Sequence, residues 1–448
     1  MPPVSCDVAV IGAGASGVLT ALHLRHAAPE LRVALLDSGA RAARGLAYGT
    51  PYGAHLLNVP AARMSAFVDA PDHFTEWLAR RLPGASGKTY APRPVYGEYL
   101  AEVLDEVDGI TRVAGTAVGI MREHDRWRVH LHDGRIVDSG AVILALGNLP
   151  PADPLHLGDT IPQNYLRDPW APGAAQGLAA DAPIAIIGTG LTMIDLVLAL
   201  RDEGHRGRVH AISRRGLVPR AHAPHLPRPF AAPPSGSPRE LLRFVRSEIA
   251  EGHEWRAVID ALRPHTQRIW QSWSLAQRRM FFRHLRVLWD VHRHRAAPEV
   301  AAQIEALRAD GTLTMHRGRI VSIRDAGHGA EVRWSSADGA IHELQVARVI
   351  NCTGPASDYA TLDLPLVAQL RRAGWLVPDA LRLGVETDAE GRMLGSDGEP
   401  VPGLFTIGPL RRPALWESTA IPEIRAQAAA LAELIGGANR GATSCARI

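Results

Sequence analysis

The sequence predicts an α/β fold made of two strand–turn–helix units on parallel sheets, the second inserted into the first and carrying a helical insertion. Three observations predict it. Two glycine-rich turns, Gly12-Ala13-Gly14-Ala15-Ser16-Gly17 and Gly188-Thr189-Gly190-Leu191-Thr192-Met193, each follow an apolar strand and precede an apolar helix. The acidic Asp37 closes the next strand, Arg32-Val33-Ala34-Leu35-Leu36, at the spacing of a carboxylate that binds a ribose. Two small-residue junctions, Ala141 to Asn148 and Val346 to Gly354, each close a hairpin-rich stretch and read as crossings between domains. Together these features describe two Rossmann-like dinucleotide-binding domains, and a chain with two such folds holds two dinucleotides.

In the first unit, Gly12 permits the sharp turn, Gly14 lets the backbone approach a pyrophosphate, and Gly17 lets the helix lie close on the strand. The helix N-terminus then offers N–H groups and the positive end of its dipole to the phosphates. Gly12, Gly14, Ser16, Gly17 and Asp37 are therefore the predicted contacts of the first dinucleotide.

The second unit repeats the order, with strand Ile184 to Ile187, a helix from Met193 to Leu200 and strand Arg208 to Ile212. Met193 replaces the third glycine, so helix and strand cannot approach as closely. Where the acid would stand, the chain reads Ser213-Arg214-Arg215. Arginines there attract a 2′-phosphate, which favours NADPH over NADH, although the chain is rich in arginine throughout. Gly188, Gly190, Thr192, Arg214 and Arg215 are the predicted contacts at this site.

The 448 residues suffice for two or three domains, and 46% hydrophobic with 21% charged residues is the balance of a soluble globular protein. The apolar stretch Val8 to Leu24 has no basic flank before it and a glycine turn within it, so no targeting or membrane segment is expected. Cys6, Cys352 and Cys445 form neither a CxxC pair nor a metal-ligand pattern, which fits a reducing compartment, the cytoplasm by default. Lys88 is the only lysine among 49 basic residues, which disfavours Schiff-base chemistry. A net charge of +3 gives no reason to expect nucleic acid as a partner.

These breaks divide the chain into a discontinuous first domain, residues 1–175 and 335–448, and a second domain, 176–334. A proline-, alanine- and histidine-rich loop from Val218 to Pro238 leads into helical patterns over about 236–307.

Four segments carry a resemblance to two-dinucleotide-binding-domain flavoproteins, in particular the FAD–NAD(P)-binding group related to flavin N-hydroxylases and to an FAD-dependent urate hydroxylase. They are Gly45-Leu46-Ala47-Tyr48-Gly49-Thr50 running to Asn58-Val59-Pro60 and Met64-Ser65; Pro92-Arg93-Pro94-Val95-Tyr96; Gly188 to Asp195; and Gly408-Pro409-Leu410 with Trp416-Glu417-Ser418-Thr419. The resemblance implies FAD at the first turn, NAD(P)H at the second, and Asn58, Pro60 and Met64 along the isoalloxazine. It implies a second FAD motif at Gly408, where Pro409 stands in place of the acid many relatives carry, and a helix starting near Glu417, Ser418 and Thr419 that aims its dipole at the flavin. The disulfide-reductase branch needs a cysteine pair that this chain lacks.

The activity so implied is an NAD(P)H-consuming monooxygenase that hydroxylates a small nitrogen-bearing substrate with molecular oxygen through a C4a-hydroperoxyflavin, with urate as the leading substrate. An amino-acid or amine N-hydroxylase is the alternative, and a reductase serving a partner protein another. Candidates for substrate contact are Arg93 and Tyr96, then His292 and Arg293 on a predicted helix, with Arg220, His222 and His225 in the preceding loop.

Overall fold

The computed structural model describes residues 4–39, 43–155, 161–230, 232 and 234–445. The chain opens with β1 (Val4–Ile11), α1 (Ala15–Ala27), β2 (Val33–Asp37), α2 (Gly45–Tyr48), α3 (His73–Arg81), α4 (Arg93–Asp105) and β3 (Ile110–Ala114). A hairpin of β4 (Ala117–Glu123) and β5 (Arg126–Leu131) leads into β6 (Ile136–Leu144). The second unit holds β7 (Tyr165–Leu166), β8 (Ile184–Ile187), α5 (Leu191–Asp202) and β9 (Val209–Ser213). Six helices follow: α6 (Pro238–Ala250), α7 (Trp255–Leu262), α8 (Thr266–Ser272), α9 (Leu275–His284), α10 (Arg286–Arg293) and α11 (Pro298–Ala309). After β10 (Leu313–Arg317), β11 (Arg319–Ala326), β12 (Gly329–Ser335), β13 (Ile341–Val346) and β14 (Arg348–Asn351), the chain returns through α12 (Pro365–Arg372), β15 (Arg392–Leu394), β16 (Pro400–Thr406), α13 (Arg412–Leu415) and α14 (Ile421–Cys445).

Among the described residues the first sheet runs β15-β16-β6-β1-β2-β3, with the β4–β5 hairpin attached to β6. From β16 to β3 its strands are parallel, and the second sheet, β10-β9-β8-β14-β7, is parallel throughout. The two sheets share one plan. The chain leaves β1 on the β2 side and comes back on the other as β6, and it leaves β8 on the β9 side and comes back as β14. Each reversal of direction opens a crevice beyond the carboxyl ends of the strands, where ligands of such sheets bind.

The second sheet reaches beyond the expected span 176–334 at both ends, because Tyr165 and Leu166 pair with Val349 and Ile350. The strand within Val346 to Gly354 was expected to lead back into the first domain, yet β14 is an interior strand of the second sheet. Its Val349, Ile350 and Asn351 are buried. A short run buried on both faces reads alike in either sheet. The chain crosses only after it, just as it crosses after β6.

The apolar faces explain the layers. Helices α1, α4 and α14 bury their leucines and alanines against one face of the first sheet, and α12 with the hairpin covers the other. Helices α5 and α11 cover the second sheet. The expected helical insertion is present as α6 to α11. Ser237 and Ser274 start α6 and α9 with reciprocal capping boxes to Glu240 and Gln277. Among the described residues no helix is long and apolar enough to cross a membrane.

The closest approach in the fold is at Gly17, where an added Cβ would lie 1.8 Å from the Gly12 carbonyl oxygen and 3.4 Å from Leu35 Cδ1. Neither the strand end nor the helix can yield without moving the whole turn. Gly17→Ala is expected to lower the unfolding free energy by about 3 kcal/mol, read as a fall in the urea midpoint at unchanged slope.

Candidate active site

The first crevice is shaped by Gly12. Its φ is +109°, and a Cβ there would sit 2.4 Å from the carbonyl oxygen of Ala145, the residue after β6. Gly14 caps α1 with no side-chain hydrogen bond, and the first turn carries no acid, so its N–H groups and positive dipole end face the crevice. Asp37 ends β2 half-buried and accepts from the Gly39 N–H at 3.1 Å. Gly408, at φ +77°, packs the turn after β16 so tightly on α1 that a Cβ would lie 2.9 Å from Ser16 Oγ. The side chain of Ser418 is wholly buried and its Oγ has no hydrogen-bond partner. A cradle that Cβ atoms would fill and a bare helix N-terminus fit an adenine dinucleotide.

The second crevice copies the first. Gly188 has φ +110°, and its Cβ would sit 2.4 Å from the carbonyl oxygen of Cys352, the residue after β14. Gly190 caps α5 with no side chain and no acid in the first turn, where Thr192 stands half-buried, and a Cβ on Gly190 would meet nothing within 4 Å. Beyond it lies a cleft of about 800 Å3 walled by Arg214, Arg215, Arg283, Arg317, Arg319 and Arg412. Such a wall suits a phosphorylated dinucleotide.

Between the crevices is a pocket of about 240 Å3. Gly147, Asn148, Pro409, Trp416 and Glu417 line it from the first unit, Pro355 from the end of the second sheet, and His294 and Arg412 line both this pocket and the arginine cleft. Trp416 stands at φ +61° and ψ −63° directly after α13. That left-handed step breaks the helical path, so the helix expected near Glu417 begins at Ile421 instead. Glu417 is a buried acceptor. It takes a hydrogen bond from Trp289 Nε1 at 2.9 Å, with Arg293 Nη2 at 3.7 Å and His294 Nε2 at 3.9 Å. Burial works to raise its pKa, but His294, Arg293 and the Trp289 hydrogen bond outweigh it and hold the carboxyl below its ordinary range.

Residues 9–149 match the family model described as FAD-NAD(P)-binding. No curated protein matches the sequence significantly. Over 97% of this chain, the fold is similar to that of the L-lysine 6-monooxygenase of Pseudomonas syringae, at 17% identity and TM-score 0.70 over 99% of that chain. It is similar to the ornithine N-hydroxylase KtzI of Kutzneria sp. 744, whose structure holds reduced FAD, NADP+ and L-ornithine, at 14% identity and TM-score 0.66, covering 97% of this chain and all of that one. The reduced ornithine hydroxylase PvdA of Pseudomonas aeruginosa gives 15% identity and TM-score 0.66, over 97% of this chain and 99% of that one.

Several predicted cofactor and substrate contacts are engaged in other ways. Tyr96 and Met64 are 0% and 2% exposed in the first core, Tyr96 among Phe74, Tyr48 and Tyr99, so neither reaches a ligand. Both pack the layer behind the crevice. Pro60 starts a short 3-10 turn, and the Asn58 carbonyl accepts from His222 Nε2 at 3.0 Å. His225 bonds Asp260 at 3.0 Å, and His292 is tied through Nδ1 to the Leu288 carbonyl at 2.7 Å with its ring edge on Trp255. Arg293 is 8% exposed, between Glu417 and Glu423, and serves that charge cluster rather than an open site.

Arg93 has a different task. Its guanidinium pairs with Asp195 of α5 at 2.8 Å and donates to the Leu56 carbonyl at 3.1 Å. His55 donates through Nε2 to the Asp195 carbonyl at 2.8 Å while Nδ1 meets Thr50 Oγ1 at 2.8 Å, and Tyr52 donates to Glu203 at the end of the same helix. Three side chains of the first unit thus grip the helix behind the second glycine turn and set the two crevices against each other. Burial lowers the His55 pKa and keeps the ring neutral. Sequence reading missed this clamp, although Asp195, a lone acid in an otherwise apolar helical run, signals a buried charge in need of a cation.

Asp195→Ala is expected to cost about 3 kcal/mol of stability by stranding Arg93, measured by urea unfolding, with part recovered in Arg93→Met/Asp195→Ala. Burial, then Arg295, push the pKa of His222 down to about 4 from 6.5. A depressed folded-state pKa contributes stability that is present above pH 6.5 and lost as pH falls towards 4. The urea midpoint should fall across that window, and His222→Gln should flatten the fall.

Proposed function

We propose that the chain is an FAD-dependent, NADPH-consuming monooxygenase that hydroxylates an amine nitrogen. The observation that carries the reading is the shared pocket: residues after β6 and β16 of the first sheet face residues after β14 of the second, with Arg412 and His294 common to it and to the arginine cleft. The net reaction is substrate, O2, NADPH and a proton giving hydroxylated substrate, NADP+ and water. Bound FAD would supply the capacity to accept hydride and to reduce oxygen.

The chain's own residues do the rest. The α1 N-terminus holds the diphosphate of FAD and Asp37 accepts from its ribose hydroxyls, while Gly190 and the α5 N-terminus receive the diphosphate of NADPH. Arg214, Arg215, Arg317 and Arg319 take the 2′-phosphate. Pro355, Pro409 and Trp416 exclude water from the shared pocket, and Glu417, held ionised, fixes Arg293 and the Trp289 indole at its edge. Cys6 and Cys352 are buried, free and held protonated by burial, which offers no support for dithiol chemistry; the Cys445 side chain lies outside the described residues.

A protein of similar fold named an ornithine N-hydroxylase, and another named an L-lysine 6-monooxygenase, draw the reading to an amine rather than to urate, for which nothing in the site speaks. The deciding experiment supplies the FAD-loaded protein with NADPH, oxygen and a panel of amines, then measures NADPH consumed against product bearing one added oxygen atom. Coupled consumption supports the reading; electrons passing only to a protein acceptor such as a cytochrome overturn it. Arg214→Ala/Arg215→Ala should raise KM for NADPH about tenfold or more, the loss of at least one charge-assisted contact, and leave KM for NADH within about twofold.

A further inference from the structure

The helical insertion forms a further, half-open cavity that no step above uses. It has a volume of about 260 Å3 and lies among α6, α7, α8, α9 and α10. Trp255, Trp270, Trp273, Phe281, Trp289 and Trp416 supply its aromatic walls, with leucine, isoleucine and valine between them. Arg246, Thr266 and His292 are its polar contributors, and among the described residues no carboxylate lines it. His292 already spends Nδ1 on the Leu288 carbonyl.

The cavity adjoins the site already described across one shared wall. Trp416 lines both the cavity and the shared pocket, stacked on Trp270 at 5.1 Å between ring centres, with the Arg412 guanidinium 4.5 Å from the Trp416 ring centre. Trp289, another wall of the cavity, donates to Glu417, which lines the shared pocket. A molecule seated among the insertion helices would therefore end at Trp416 and Trp289, one indole away from Glu417 and the pocket that faces the cofactors.

We propose that this cavity is the substrate's recognition pocket and that the substrate is an amine carried on an apolar aromatic body of one or two rings. The proposal rests on the monooxygenase reading and names its substrate class. A dry apolar cavity of about 150 Å3 holds benzene, so the larger volume here admits a ring with a short side chain or a fused pair. Aromatic walls meet such rings edge-to-face or offset. The amino-acid head of ornithine or lysine would leave a carboxylate and an ammonium in a lining with no acid and one arginine, a mismatch that desolvation makes severe. Urate, polar on every edge, meets the same objection.

Calorimetry on the FAD-loaded protein tests this without needing turnover, with 2-phenylethylamine and 2-(2-naphthyl)ethylamine as probes and L-ornithine, L-lysine and urate as comparators. The aromatic amines are expected to bind at least tenfold more tightly than the comparators and to accelerate NADPH consumption. Leu285→Trp, which fills the cavity, is expected to weaken 2-phenylethylamine at least tenfold. Ile259→Ala, which widens it, should shift preference towards the two-ring probe, so a folding failure of the first variant leaves the second to decide. Tighter binding of ornithine, lysine or urate, or equal affinities in wild type and both variants, overturns the assignment while leaving the monooxygenase reading intact. Aromatic amines that bind but accelerate no NADPH consumption support the cavity and count against the reaction.

Discussion

Everything in this molecule hangs on one contact made twice. At Gly12 and again at Gly188 the backbone turns with positive φ against the carbonyl of the residue that ends the neighbouring returning strand, Ala145 or Cys352, at a distance no side chain tolerates. The contact locks the strand order at each reversal, and so fixes where each crevice opens. It also aims two helix N-termini, α1 and α5, outward from the sheets. Two anion sites follow from backbone geometry before any side chain is considered.

What turns two crevices into one site is the grip of the first unit on α5. Tyr52, His55 and Arg93 hold the helix whose N-terminus faces the arginine cleft, so the position of one helix dipole is set by side chains of the other domain. A buried ion pair is a weak source of stability but a strong source of register, since only one arrangement satisfies both partners. The same logic recurs on the other side of the pocket, where Arg263 and Arg293 meet Glu423 and Glu417 between the insertion and the start of α14.

How legible this was in the sequence depends on the range of each interaction. The glycine turns, Asp37 and the insertion's helices were readable because their constraints are local: a φ only glycine tolerates, a fixed spacing, a 3.6-residue period. The sheet to which β14 belongs was not, because Val349 and Ile350 look the same in either parallel sheet. Met64 and Tyr96 were taken for site residues since nothing local distinguishes an apolar residue lining a pocket from one packed behind it. Glu417 and Ser418 precede α14 instead of starting it, for a tryptophan in a left-handed conformation leaves no mark in the sequence. The aromatic density from Trp255 to Trp289 was plain to see, yet only the packing of five helices shows that it surrounds a space rather than filling it.

That left-handed tryptophan carries a consequence for the protein's evolution. A non-glycine residue at φ +61° stores about 1–3 kcal/mol of backbone strain, and the buried packing of the indole on Trp270, Phe281 and Phe282, worth about 3–5 kcal/mol, outweighs it. A glycine at position 416 would relieve the strain but delete the indole partition that the cavity and the cofactor-facing pocket hold in common. Robustness and partitioning therefore coincide at this single residue: the packing that outweighs the strain is the packing that keeps the two compartments apart.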